Sequence, residues 1–237
     1  LYKKEKWELA FKALSIIRLY HPENSELDTV INLQYKCAEN KMLDNEGKIL
    51  GFIDKDPLHP DAIIMFLTYI KFYPFSEKTS EALLNIAKIG IVNKQDQIAI
   101  NALKQIINKH QESVHIEEAY YEIATIYAGY VQGPEYDLNS TREAIRYCED
   151  FIALFPEHNL IGKIEALKGR LMNTLANNRL YLGDYYYYTQ MDSLAAIIFY
   201  NEAVTFAPNS VAAKQAKNRL EAIEKGVRPF SANTFLK

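Results

Sequence analysis

The stretch 193–210 reads SLAAIIFYNEAVTFAPNS and contains the pattern that decides the fold. Ala196, Tyr200 and Ala203 follow one another at spacings of four and three, which places them on one face of a helix. Pro208 cannot continue that helix, and the serine two residues later is a good N-cap for another. The stretch therefore predicts a helix, a Pro-x-polar turn and a second helix.

The same pattern recurs at four other places in the chain. An alanine stands twelve residues before each closing position, and apolar side chains stand eight and five residues before it. The alanines are Ala10, Ala62, Ala99, Ala144 and Ala196, and the closing prolines are Pro22, Pro74, Pro156 and Pro208, with Gln111 closing the remaining copy. A small alanine lets a neighbouring helix approach closely, so each copy predicts a helix that is packed on its neighbours. A polar residue stands two positions after each closing residue, at Asn24, Ser76, Ser113, His158 and Ser210. The Ser and Asn residues among them are predicted to cap the next helix, whereas His158 is predicted to be a turn residue.

This periodicity predicts a chain that is almost entirely helical. Gly129–Thr141 is rich in turn-forming residues and predicts an exposed loop, and 227–237 predicts an irregular tail. A further short helix is expected within 46–55. The ten main helices are expected near 5–20, 25–43, 60–73, 77–92, 95–109, 114–129, 140–154, 160–187, 191–206 and 210–225.

The repeated unit resembles the second-helix half of a tetratricopeptide repeat, in five copies that cover most of the chain. The resemblance implies an all-α fold, a right-handed superhelix of about five helix pairs with a concave groove. Such repeats bury their apolar faces on one another, so we expect 1–226 to form a single solenoid in which no repeat is stable alone.

Composition and charge exclude several classes of protein. The 237 residues carry a net charge of −3, whereas a general nucleic-acid binder has a basic excess, so no nucleic-acid partner is predicted. Nine glycines are too few for a Gly-rich phosphate loop, and no apolar run approaches the length of a membrane span. The chain starts at Leu1 without a visible signal peptide, which we interpret as processing or trimming.

No motif for chemistry is found. The five histidines lack the spacing of a metal site, and the two cysteines, Cys37 and Cys148, are too far apart for a metal motif or a disulfide framework. Cys148 occupies a core position of the repeat and is expected to be a buried, inert thiol. Ser113, Ser140 and Ser210 are helix caps by position and not nucleophiles. We therefore predict no catalytic residues, no metal, no cofactor and no enzymatic activity.

The C-terminal half resembles a narrower family, the outer-membrane assembly lipoproteins called BamD. The motifs that carry the resemblance are TREAIRYCEDFIALFPEH (141–158), KGRLMNTLANNRLYLGDYYYY (168–188) and 193–210, and they cover 110–225 well and 1–110 loosely. Two departures from the family pattern lie in the middle motif. Thr174 replaces the Arg that often precedes Leu-Ala, and Arg179 stands where relatives often carry an acid.

The run Tyr185–Tyr188 is the most unusual segment. Four successive helical residues cover most of the helix circumference, so one or two should pack against the 191–206 helix while the others face the surface or the groove. One interpretation is that these tyrosines fill the repeat core with their hydroxyls in water. The other, which we adopt as the site prediction, is that Tyr185, Tyr186, Tyr187, Tyr188 and Arg179 form a partner-binding surface.

The resemblance implies a scaffold on the periplasmic face of the outer membrane, held there only through a lipid on a cysteine upstream of Leu1. It implies two protein partners: the central barrel-insertion subunit, bound by the repeats in 112–226, and unfolded outer-membrane proteins, bound by the repeats in 1–111. The alternative is an adaptor or chaperone of another pathway such as secretion, which would fit a cytoplasmic protein, because the repeats alone do not fix function. The codons upstream of Leu1 would distinguish the two.

Overall fold

The computed structural model describes residues 6–21, 23, 26–44, 58–131, 133 and 138–226. Within these ranges the chain forms ten α-helices and one π-helical stretch, with no β-strand, which confirms the predicted all-α class. The α-helices are α1 Trp7–Tyr20, α2 Leu27–Leu43, α3 Ala62–Phe72, α4 Thr79–Val92, α5 Asp96–Lys109, α6 Ile116–Gly129, α7 Asn139–Leu154, α8 Ile161–Asp184, α9 Ser193–Phe206 and α10 Val211–Glu224. The π-helix is Tyr185–Thr189.

The helix ends agree with the sequence prediction to within two residues, except at the end of α8. The predicted α-helix there runs to residue 187, but the α-helix ends at Asp184 and a π-helical turn follows. In the loop predicted to be exposed, Leu138 is buried at 6% exposure and directly precedes α7. The predicted short helix at 46–55, the tail 227–237 and Pro22 lie outside the described residues.

All five alanines of the repeated pattern are buried, with exposures of 0–5%. Their small size permits helices to pack at short distance. At the contact between α4 and α5, a Cβ added to Gly90 would lie only 3.1 Å from Cβ of Ala99. The pattern therefore marks positions of close helix contact, as the sequence predicts.

The five helices of the repeated pattern, α1, α3, α5, α7 and α9, all end in the same way. The residue that follows each helix has φ between −144° and −128° and ψ between 49° and 79°, and its N–H donates to the carbonyl four residues earlier. Proline disfavours helical backbone in the residue before it, which accounts directly for the four of these ends that precede a proline in the sequence. His110 adopts the same conformation before Gln111, so packing fixes this stop even without proline.

The predicted N-caps are correct at one position and wrong at three. Ser210 Oγ accepts from the N–H of Ala213 and caps α10. Ser140, a predicted cap, lies inside α7. Ser76 and Ser113 instead accept the N–H two residues later, at 3.3 Å and 3.1 Å, inside the turn, and so does His158, a predicted turn residue, at 3.1 Å. The following helices begin three residues after these side chains, so they stabilise the turn and not the helix N-terminus. Asn24 lies outside the described residues.

The chain consists of two compact units, Leu1–Glu122 and Ile123–Lys237. In the first unit, the consecutive helices from α1 to α5 contact one another in sequence order. In the second unit α8 contacts α7 and α9, and α10 contacts both α8 and α9. The arrangement of 1–226 as one solenoid remains a prediction.

Candidate functional site

The predicted partner site lies at the junction of α8, the π-helix and α9, all in the second unit. Its base is a cluster of buried side chains from α8, the π-helix, α9 and α10: Ala176, Leu180, Tyr187, Ala196, Tyr200, Ala203, Ala212 and Ala216. Side chains from several helices therefore pack beneath the tyrosine run and fix its position.

Gly183 is what allows α8 and α9 to meet at this point. A Cβ built on Gly183 would lie 2.5 Å from Cε1 of Tyr200, well inside the closest approach of real atoms. Tyr200 is fully buried, and its ring occupies the space that any side chain at position 183 would need. The glycine in LGDYYYY is thus required for close approach of an aromatic ring to the helix backbone.

A polar network fixes the end of α8. The hydroxyl of Tyr200 donates to Oδ1 of Asp184 at 2.7 Å, and Nε of Arg219 approaches the same oxygen at 3.3 Å. Burial of Tyr200, together with the hydrogen bond and negative charge of Asp184, raises the pKa of the phenol well above its usual range. Tyr200 is therefore protonated at every physiological pH and acts as a permanent donor.

A π-helical turn, Tyr185–Thr189, contains the tyrosine run. The N–H of Gln190 donates to the carbonyl of Tyr185, five residues earlier, at 3.2 Å. Met191 then adopts the left-handed region, with φ of 56°, before α9 begins. A π-turn inserts one extra residue into the helix and changes the direction of every side chain after it.

The four tyrosines have different environments. Tyr187 is buried at 3% exposure, and Tyr186 stacks on Phe199 of α9 with ring centroids 5.2 Å apart. Tyr188 lies against Tyr187 and under the guanidinium of Arg219, 5.7 Å from the ring centre. Tyr185 is 43% exposed and its hydroxyl accepts a hydrogen bond from Gln190. The prediction that one or two tyrosines pack against α9 is confirmed. Tyr185 is the tyrosine of the four that is most exposed to solvent.

Arg179 lies beside the cluster but is engaged within the molecule. Its Nε is 2.6 Å from Oε2 of Glu202, and its guanidinium sits 5.8 Å and 5.9 Å from the rings of Phe199 and Phe206. The side chain is only 17% exposed. A partner role for Arg179 stays a prediction, and it would require the pair with Glu202 to open.

Sequence reasoning missed two contributors to this site. Gly183 and Asp184 organise the end of α8, but neither belongs to a repeated pattern. The signal that could have revealed them was a glycine inside a long helix next to a run of tyrosines, because glycine is costly there unless something approaches the backbone.

The first unit contains an apolar cleft of about 350 Å³ lined by Arg18, Leu19, Leu27, Ile31 and Tyr73. Arg18 stacks on Phe72 with its guanidinium carbon 4.0 Å from the ring centre, so the positive charge lies against an aromatic side chain. The cleft therefore combines apolar walls with one cation.

The serines of the first unit serve the turns. Ser76 Oγ is 2.8 Å from the hydroxyl of Tyr69, and Ser113 Oγ accepts the N–H of His115.

Burial raises the pKa of Cys37 and of Cys148 to about 11, so both thiols remain protonated. Among the described residues, no group of three His, Cys, Asp or Glu side chains could hold a metal ion.

A family model described as YfiO, outer membrane lipoprotein, matches residues 61–228, which is more than half of the chain. YfiO is the BamD-type lipoprotein domain, so the match agrees with the family resemblance of the C-terminal half. No curated protein matches the chain. In the part of the chain that the structure describes, no helix is both long and apolar enough to span a bilayer.

Proposed function

Since this chain belongs to the YfiO family of outer membrane lipoproteins, we propose that it is a non-enzymatic scaffold of the outer-membrane protein assembly machinery. It binds the central barrel-insertion subunit through the second unit and unfolded outer-membrane proteins through the first. It works at the periplasmic face of the outer membrane. Because Cys37 and Cys148 are fully buried, the anchoring lipid would be attached to a cysteine outside these 237 residues.

The observation that carries this proposal is the exposed aromatic edge of α8. Tyr181 is 50% exposed and Tyr185, one turn later, is 43% exposed. Aromatic side chains are enriched among the residues that dominate protein interfaces, since they bury much area and lose little side-chain entropy. The network of Asp184, Tyr200 and Arg219 holds this edge rigid before any partner arrives. Rigid aromatic anchors favour a scaffold over a catalyst.

The apolar cleft of the first unit supports the second binding activity. Leu19 is 66% exposed at its rim and Tyr20 is 70% exposed next to it. Apolar side chains of an unfolded chain, which have no core of their own, would gain about 25 cal/mol for each Å² that they bury in such a cleft.

The test is capture of the periplasmic domains of the central subunit by the full chain. We expect specific capture, and we expect Tyr185→Ala to weaken it about tenfold or more, as loss of an interface anchor does. Tyr20→Ala is the matched control, because it removes an exposed tyrosine from the other unit and should leave capture unchanged. A folded chain that never captures the central subunit would refute the assignment, and equal effects of the two substitutions would refute the site.

A further inference from the structure

The long helix α8 presents a continuous row of exposed side chains that the tyrosine site alone does not explain. Lys163, Arg170, Asn177 and Tyr181 lie within about 40° of one another around the helix, and Tyr185 continues the row one turn later. All five are exposed. From Lys163 to Tyr185 the row is about 33 Å long at 1.5 Å per residue.

The two ends of this α8 row differ in chemistry. Lys163 and Arg170 supply two positive charges near the start of the helix, and neither has an ion-pair partner in the described part of the chain. The other end consists of the aromatic faces of Tyr181 and Tyr185. Asn177 lies between them, with both an amide donor and a carbonyl acceptor available.

Neighbouring acids do not neutralise the positive end. Of the two acidic residues of α8, Glu165 lies on the opposite side of the helix, and Asp184 is bonded to Tyr200 and Arg219. On the adjacent helix, Glu149 pairs with Lys168 instead. The row therefore carries an uncompensated charge that a ligand of opposite charge would match.

We propose that the α8 row binds an extended polypeptide segment of about ten residues, acidic at the end that lies over Lys163 and Arg170 and aromatic at the end that lies over Tyr181 and Tyr185. An extended chain rises about 3.3 Å per residue, so ten residues match the length of the row. A bound helix would keep its backbone groups to itself, whereas an extended segment presents N–H and C=O groups to the amide of Asn177. The inference deepens the proposed function and rests on it, because it specifies the chemistry of the segment of the central subunit that the second unit binds.

The experiment measures fluorescence anisotropy of a labelled ten-residue peptide with two Asp at one end and two Phe at the other, titrated with the full chain. Exposed charge pairs contribute little each, so we expect Arg170→Glu and Lys163→Glu each to weaken binding about threefold to fivefold. We expect Tyr181→Ser to weaken binding about tenfold. Lys214→Glu on α10 is the matched control and should leave binding unchanged.

A charge exchange makes the test specific. A peptide with Lys in place of Asp should bind the original chain weakly and should bind the variant carrying both Lys163→Glu and Arg170→Glu more tightly than the Asp peptide does. High salt should weaken binding of the Asp peptide because it screens the charge pairs. It should leave most of the contribution of the aromatic contacts to binding unchanged. Circular dichroism of each variant confirms that the helices remain.

Three results would overturn the inference. They are equal binding of the Asp and Lys peptides, unchanged binding by the Arg170→Glu and Tyr181→Ser variants, and tighter binding of a ten-nucleotide oligo-dT that depends on the same side chains. Capture of the central subunit without peptide binding would refute the α8 row as a peptide site and leave the proposed function standing. Failure of both measurements would refute both.

Discussion

Gly183→Ala is the substitution that tests how the candidate site is built. The added Cβ would lie 2.5 Å from Cε1 and 2.6 Å from Cδ1 of Tyr200, a ring that is fully buried and cannot swing into solvent. The ring must shift, and its hydrogen bond to Asp184 lengthens or breaks.

The magnitude follows from three contributions. Overpacking a buried site costs about 1–3 kcal/mol, and weakening a buried hydrogen bond to a charged group costs about 1–2 kcal/mol. Alanine offsets about 1 kcal/mol of this loss, since it is a better helix former than glycine. The net expectation is a loss of about 2 kcal/mol in the free energy of unfolding, which corresponds to a fall of about 5–10 °C in Tm for a unit of this size.

The same helix provides a matched control. Gly169 lies in α8 with nothing within 4 Å of an added Cβ, so Gly169→Ala should stabilise the chain by about 0.5–1 kcal/mol. Urea and thermal unfolding of both variants, followed by circular dichroism at 222 nm, measure the contrast. If Gly183→Ala is as stable as Gly169→Ala, the close contact between α8 and Tyr200 does not exist. The description of how these helices form the site would then be wrong. If the double variant Gly183→Ala, Tyr200→Leu regains part of the stability that Gly183→Ala loses, the loss comes from the contact between residue 183 and the ring of Tyr200.

Four further predictions concern buried polar and sulfur groups. Tyr200→Phe leaves Asp184 without its neutral donor and should cost about 1–2 kcal/mol in urea unfolding, whereas Tyr185→Phe at the surface should change stability by less than about 0.5 kcal/mol. Gln34 is fully buried and accepts from the hydroxyl of Tyr73 at 2.6 Å, so Gln34→Ala should cost about 2–3 kcal/mol, and a Tm within 2 °C of the original would contradict that role. Both cysteines should resist a thiol reagent such as DTNB at pH 8 until denaturant is added, and rapid labelling of the folded chain would show that they are accessible. Because burial raises their pKa to about 11, the protonated thiols stabilise the fold fully below pH 9, and that contribution is lost between about pH 9 and 11 in pH-dependent unfolding.

The helices could be predicted because their signals are local and repeated. Alanine, apolar and proline positions at fixed spacing specify one buried face and one stop, and five copies agree with one another. The same reasoning failed at the caps. Ser76 and Ser113 are suitable cap residues, yet the chain makes a further turn before each helix begins, and that turn takes up the side-chain acceptor.

The candidate site was predictable only as a segment. The run of tyrosines could be seen in the sequence, but four adjacent identical residues contain no information about which of them is buried. Contact of Tyr186 with Phe199 and burial of Tyr187 in the core shared with α9 depend on residues outside the tyrosine run. The partner role of these tyrosines and of Arg179 stays a prediction.

The sequence by itself determined the all-α class, the positions of ten helices and the family, because each rests on short-range spacing within one helix and turn. Only the tertiary structure decided that Gly183 gives room to Tyr200, that Asp184 joins Tyr200 to Arg219, and that the helix ends in a π-turn over Tyr185–Thr189. These features arise where three helices meet, and the free energy of such contacts depends on distances between residues that the order of the chain does not specify.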